Sequence, residues 1–121
     1  MSLASLLPSN QQPHIEGRRS RRQRVLLPGK IVFERAMRTV DCMVRDLSPT
    51  GARLRLLSPE MLPSRFYLID FRQSAAFEAE VEWRRPSELG VKLGIGHPLN
   101  RARTFEMRTM RQIWMEHVAR P

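Results

Sequence analysis

The sequence predicts an all-β, mainly antiparallel domain, a barrel or a sandwich of about six strands, followed by one C-terminal helix. Three observations carry this. Apolar and polar residues alternate at period two through the middle of the chain. Turn-forming clusters separate these stretches at short intervals, with no helical pattern between them. Only the last stretch reads at the helical period.

Residues 1–17 hold Ser, Asn, Gln and Pro without periodicity, and are expected to be a flexible leader. The basic run RRSRRQR, Arg18–Arg24, follows. Lys30–Phe33 and Phe66–Phe71 are short apolar runs that fit strands buried on both faces or at a barrel seam. Val40, Cys42 and Val44 alternate with Asp41, Met43 and Arg45, and Ala52, Leu54 and Leu56 with Arg53 and Arg55. Ala79, Val81 and Trp83 alternate with Glu78, Glu80, Glu82 and Arg84, and Leu89, Val91 and Leu93 with Gly90, Lys92 and Gly94. The separators SPTG, SPEMLPS, RQSA and RPSE are turn chemistry. Closure would remove the sheet edges that a small β domain must protect.

From Leu99 to Arg120 there is no Gly or Pro. Phe105, Met107, Met110, Ile113, Trp114 and Val118 fall on one broad arc, and arginines fill the rest. Asn100 is the expected N-cap, after the breaker Pro98. The helix is expected to cover one open end of the barrel, with a dimerisation or partner-binding role as the alternative. The division is therefore a leader at 1–17, a β domain with its arginine arm at 18–98, and a packed helix at 99–121.

The 121 residues suffice for one ordinary domain. The single cysteine, Cys42, excludes an internal disulfide and favours a reducing, cytoplasmic setting. It alternates with valines and reads as a small buried hydrophobe. No stretch approaches a membrane span, and the N-terminus lacks the pattern of a signal peptide. His14, His97 and His117 have no metal-ligand spacing around them, and no nucleophile elbow, P-loop or dinucleotide fingerprint occurs. An enzyme is thus the disfavoured class, with no metal and no cofactor expected. Charge is more informative: 21 Lys and Arg against 12 Asp and Glu leave a formal +9, mostly arginine. Arginine pairs bidentately with phosphates and guanine edges, so an anionic partner fits. A well-solvated basic surface accounts for the charge equally well.

Two segments remain. In the arginine run, Arg18 and Arg22 stand four apart, with Arg19, Arg21 and Arg24 around them. Alone, such a run fits a nucleic-acid arm, a membrane-surface tether or a linker. DLSPTGARL, Asp46–Leu54, enters a turn in which Pro49 presets the backbone and Gly51 tolerates positive φ. Asp46 and Ser48, one residue apart, can face the same side. Alone, this segment reads as a hairpin whose Asp46 and Ser48 bond backbone N–H groups.

Together, RxxxR at Arg18 and Arg22, one strand's worth of chain, and DxSxxG at Asp46, Ser48 and Gly51 resemble the PilZ domain family. The resemblance runs on through RVLLPGKIVF, GARLRL and VEWRRPSELGVKLG with its Trp83, covering roughly Arg18 to Gly94. It implies a six-stranded β-barrel with an associated helix that binds cyclic di-GMP as a non-catalytic sensor. It also implies a protein effector downstream. The chemistry agrees. Guanine O6 and N7 form the acceptor pair that arginine reads, which suits Arg18 and Arg22. Guanine N1–H and N2–H₂ suit the Asp46 carboxylate. Ser48 can bond a phosphate or orient Asp46, and Gly51 permits close approach. Arg19, Arg21 or Arg24 could substitute within the run. The arm is expected to close over the barrel when ligand binds. The competing readings are a small basic β-barrel that binds single-stranded nucleic acid, for which aromatics are few, and a barrel of this family kept only for protein contacts.

Overall fold

The strands close into an antiparallel barrel in a computed structural model that describes residues 23–57 and 61–119. β1 is Gln23–Phe33, β2 Arg38–Ser48, β3 Gly51–Leu56, β4 Arg65–Asp70, β5 Ala75–Arg85 and β6 Glu88–Pro98. They lie in the ring order β1-β2-β3-β6-β5-β4. Of the two architectures that the alternation allowed, the barrel is the one formed. The inward residues of every strand make one core, with Ile31, Phe33, Cys42, Val44, Leu54, Leu68, Phe77 and Val91 among them. The leader 1–17, Arg18 and Arg22 lie outside the described residues, as do residues 58–60.

Lys30–Phe33 and Phe66–Phe71 belong to strands with two apolar faces, because a second core covers them from outside. Ile31, Phe33 and Leu68 point into the barrel. Their neighbours Val32, Ile69 and Phe71 point outward, together with Ala76, onto Leu99, Met107 and Met110. The last two belong to α1, Phe105–Val118. The helix therefore lies against the outer face of β1, β4 and β5 and does not plug an open end. It also starts later than the pattern suggested. Leu99–Arg101 form a 3₁₀ turn, and Thr104 is the N-cap, its hydroxyl accepting from Met107 N at 3.1 Å. Asn100 falls inside the 3₁₀ turn and caps nothing. Trp114 Nε1 donates to the Phe71 carbonyl at 2.9 Å and pins the helix to the end of β4. Trp114→Phe keeps most of the apolar contact and removes that bond. It is expected to cost about 1 kcal/mol, a drop of a few degrees in melting temperature on a thermal scan.

β1 is longer than the apolar run that announced it. Its ladder with β2 begins at Gln23↔Leu47 and takes in the end of the arginine run. Pro28 is tolerated because β1 pairs with β4 only over Gly29–Val32, so Pro28 sits just beyond the doubly bonded part. The β1–β2 turn carries Glu34, Arg35 and Ala36 at φ 53, 58 and 70. Three consecutive left-handed non-glycine residues are costly for the backbone. Burial of Ala36 in the outer core and a Met37 N–H to Glu34 carbonyl bond of 3.0 Å hold the turn there.

Candidate ligand-binding site

Three β-bulges decide which side chains reach the outer surface at the DLSPTG end of the sheet. On β2, period two from Val40, Cys42 and Val44 would carry Asp46 and Ser48 into the core. A register shift between Val44 and Asp46 reverses them, so that Leu47 packs inside and Asp46 and Ser48 face out. On β5, a shift between Val81 and Trp83 does the same for Trp83. The alternation had placed Trp83 with Ala79 and Val81 on the core face; the bulge turns it out. A third shift lies in β1 between Arg24 and Leu27. Bulges are a known means of re-aiming side chains around a site.

The result is one cross-strand row of Cα partners: Arg24↔Asp46, Asp46↔Arg53, Arg53↔Gly90 and Gly90↔Trp83. Strands stand about 4.8 Å apart, so Asp46 to Trp83 spans three spacings, about 14 Å. Arg53 Nε is buried and lies 2.8 Å from Asp46 Oδ2, its N–H misaligned for a straight hydrogen bond. The contact is an ion pair. Arg53 Nη1 also reaches Glu88 Oε2 at 3.3 Å. Glu88 in turn lies 3.9 Å from Arg85, whose guanidinium stands over the Trp83 ring at 5.0 Å. Trp83 rests on Gly90: a Cβ there would fall inside the indole.

A groove of about 350 Å³ lies over the Arg53, Gly90 and Trp83 part of this row, lined also by Ser48, Gly51 and Lys92. The structure thus brings Asp46, Ser48 and Gly51 to one face. Arg18 and Arg22 lie outside the described residues, but the run they belong to enters β1 at Gln23, and the backbone of Arg24 is the partner of Asp46. Ser48 is buried and its hydroxyl donates to the Gly51 carbonyl at 3.3 Å, closing the two-residue Pro49–Thr50 turn. Gly51 does not use its tolerance of left-handed backbone. Glycine is needed there because a Cβ would sit 2.9 Å from the Val91 carbonyl of β6. Arg53, Gly90 and Glu88 were not singled out from the sequence, and Trp83 was noted only within the resemblance and given no role in the site. A glycine paired beside a tryptophan is the one signal that could have found Trp83's position.

A larger cavity of about 580 Å³ opens at the other end of β1, among Phe33, Arg35, Arg65, Tyr67, Glu78 and Glu106. It contains neither motif, and its charges are mixed, so size alone does not make it the site. Among the described residues no cluster of His, Cys, Asp and Glu could hold a metal ion. His97 pairs with Glu78 at 2.8 Å, and His117 stacks on Phe71 at 3.7 Å. Cys42 is buried, and burial, then Asp41, pushes its thiol up to about 12. It stays protonated and unreactive at neutral pH. No helix among the described residues is long and apolar enough to cross a membrane.

The family model described as PilZ domain matches residues 16–106, most of the chain, including the arginine run and DLSPTG. No curated protein matches.

Proposed function

The chain belongs to the PilZ domain family, a family of cyclic di-GMP receptors, and from that premise we propose that it binds cyclic di-GMP on the groove over Arg53, Gly90 and Trp83, beside Asp46. The observation that carries this reading is the pairing of Arg24 with Asp46 at the mouth of β1. Arg24 closes the arginine run and its backbone neighbours the DxSxxG motif, which supports a site combining cations for phosphate and guanine with a carboxylate for guanine N–H groups. Arg18 and Arg22 take the guanine edge or a phosphate. Asp46, already facing out, accepts from N1–H and N2–H₂. Trp83 offers a face for stacking a base. Ser48 shapes the turn; to meet a phosphate its hydroxyl must leave the 3.3 Å bond to Gly51.

The role is that of a receptor rather than a catalyst. Ligand phosphates neutralise part of the arginine run, and bidentate pairing fixes it over the groove. That change of order is the signal read by a downstream protein. Calorimetric titration tests the reading: cyclic di-GMP should give saturable heat, and GTP or cyclic AMP far less. No saturable response up to high micromolar cyclic di-GMP rejects it. Tight binding of random oligonucleotides, falling steeply with salt, would favour the single-stranded nucleic-acid reading instead.

A further inference from the structure

Glu88 occupies the place of an anion. It opens β6 just after the Pro86–Ser87 turn and is the Cα partner of Arg85 on β5 and of Arg55 on β3. Its two carboxylate oxygens serve different arginines: Oε2 lies 3.3 Å from Arg53 Nη1, and Oε1 lies 3.9 Å from Arg85 Nη1. The carboxylate is mostly shielded, at 18% exposure, whereas Arg85 is 68% exposed. Arg53 lines the groove, and Arg85 stands over Trp83, which also lines it. Two cations flanking the groove are thus tied to one internal acid, and one of them covers an aromatic surface a base would need.

We propose that Glu88 is an intramolecular counter-anion that competes with the ligand's phosphate for Arg53 and Arg85, and so sets the affinity of the site. The proposal rests on the functional reading above and adds a specificity-determining residue to it. With Glu88 in place, a weakly charged molecule cannot draw the two arginines away. A ligand carrying two phosphates can take both cations, and Arg85 then vacates the Trp83 ring. Asp46 acts differently. It faces Arg53 Nε and is retained for the base, while Glu88 holds the outer Nη1 that a phosphate would approach.

The closing experiment compares wild type with Glu88→Gln, using cyclic di-GMP and inorganic pyrophosphate as separate probes at several salt concentrations. Thermal melts confirm that the variant is folded, and Glu88→Asp, too short to reach both arginines, is the second variant. Glu88→Gln should bind cyclic di-GMP about twofold to fivefold more tightly, the weight of a partly shielded ion pair. Its affinity should fall more steeply with salt, because more free cations meet phosphate. Pyrophosphate should tighten in the same direction, and the gain should vanish in an Arg53→Ala/Arg85→Ala background. If neither probe tightens on a folded Glu88→Gln, the proposal is overturned. If pyrophosphate tightens while cyclic di-GMP binds neither protein, the counter-anion role stands and the nucleotide reading falls.

Discussion

Arg22→Ala is expected to weaken cyclic di-GMP binding by about tenfold to more than a hundredfold while the barrel melts as wild type does. A charge-assisted bidentate contact is worth about 1.5–3 kcal/mol, and each 1.4 kcal/mol is a factor of ten. The described ladders begin at Gln23↔Leu47, and both described cores are assembled from residues further along the chain, so the variant is expected to fold. Arg18→Ala should behave alike. Asp46→Ala gives the contrast. It removes a ligand acceptor and also leaves the buried Arg53 Nε without its carboxylate, so affinity and melting temperature should fall together. Calorimetry with parallel melts separates the two effects. If Arg18→Ala and Arg22→Ala both bind like wild type, the register of the run is wrong, and Arg19, Arg21 or Arg24 carries the contact.

The strands were legible because burial on one face writes itself as alternation, and Val40–Val44, Ala52–Leu56 and Leu89–Leu93 did so. Two-faced burial in Lys30–Phe33 and Phe66–Phe71 was also legible, though its cause was not. A run apolar on both sides does not say what lies outside, and here it is α1. The β1–β2 turn gave no warning, since Glu34, Arg35 and Ala36 take left-handed backbone without a glycine or asparagine among them. Asp46, Ser48 and Gly51 could be named only because their motif, with the arginine run before it, resembles that of the PilZ family. Their outward facing could not be derived from period two, which points the other way until the bulge before Asp46 is known. Trp83 failed for the same reason. A bulge adds one residue to one strand, and only the pairing partner reveals it. The Arg53–Glu88–Arg85 chain depends on strand order, with β6 between β3 and β5, and no local pattern encodes that.

Gly90→Ala is expected to disable the groove without touching any polar contact in it. Gly90 is Cα partner to Arg53 on one side and Trp83 on the other, so its backbone is held by ladders to β3 and β5 and cannot withdraw. An added Cβ falls within the Trp83 pyrrole ring, and it is the indole that must move. Forcing a side chain out of a packed position costs about 1–3 kcal/mol of stability. The displaced indole also loses its pose under Arg85. A base stacked on an aromatic ring contributes about 1–3 kcal/mol, so affinity for cyclic di-GMP should fall by about fivefold to more than a hundredfold. Trp83→Ala should lose a similar factor with less strain, because the cavity it leaves opens to solvent. The double variant Gly90→Ala/Trp83→Ala decides the mechanism. If Gly90 acts only through the indole, the two affinity losses will not add, and the double variant will bind as Trp83→Ala does. Full additivity would mean that Gly90 faces the ligand itself. Wild-type affinity in Trp83→Ala would remove stacking from the site and leave recognition to the arginine run and Asp46.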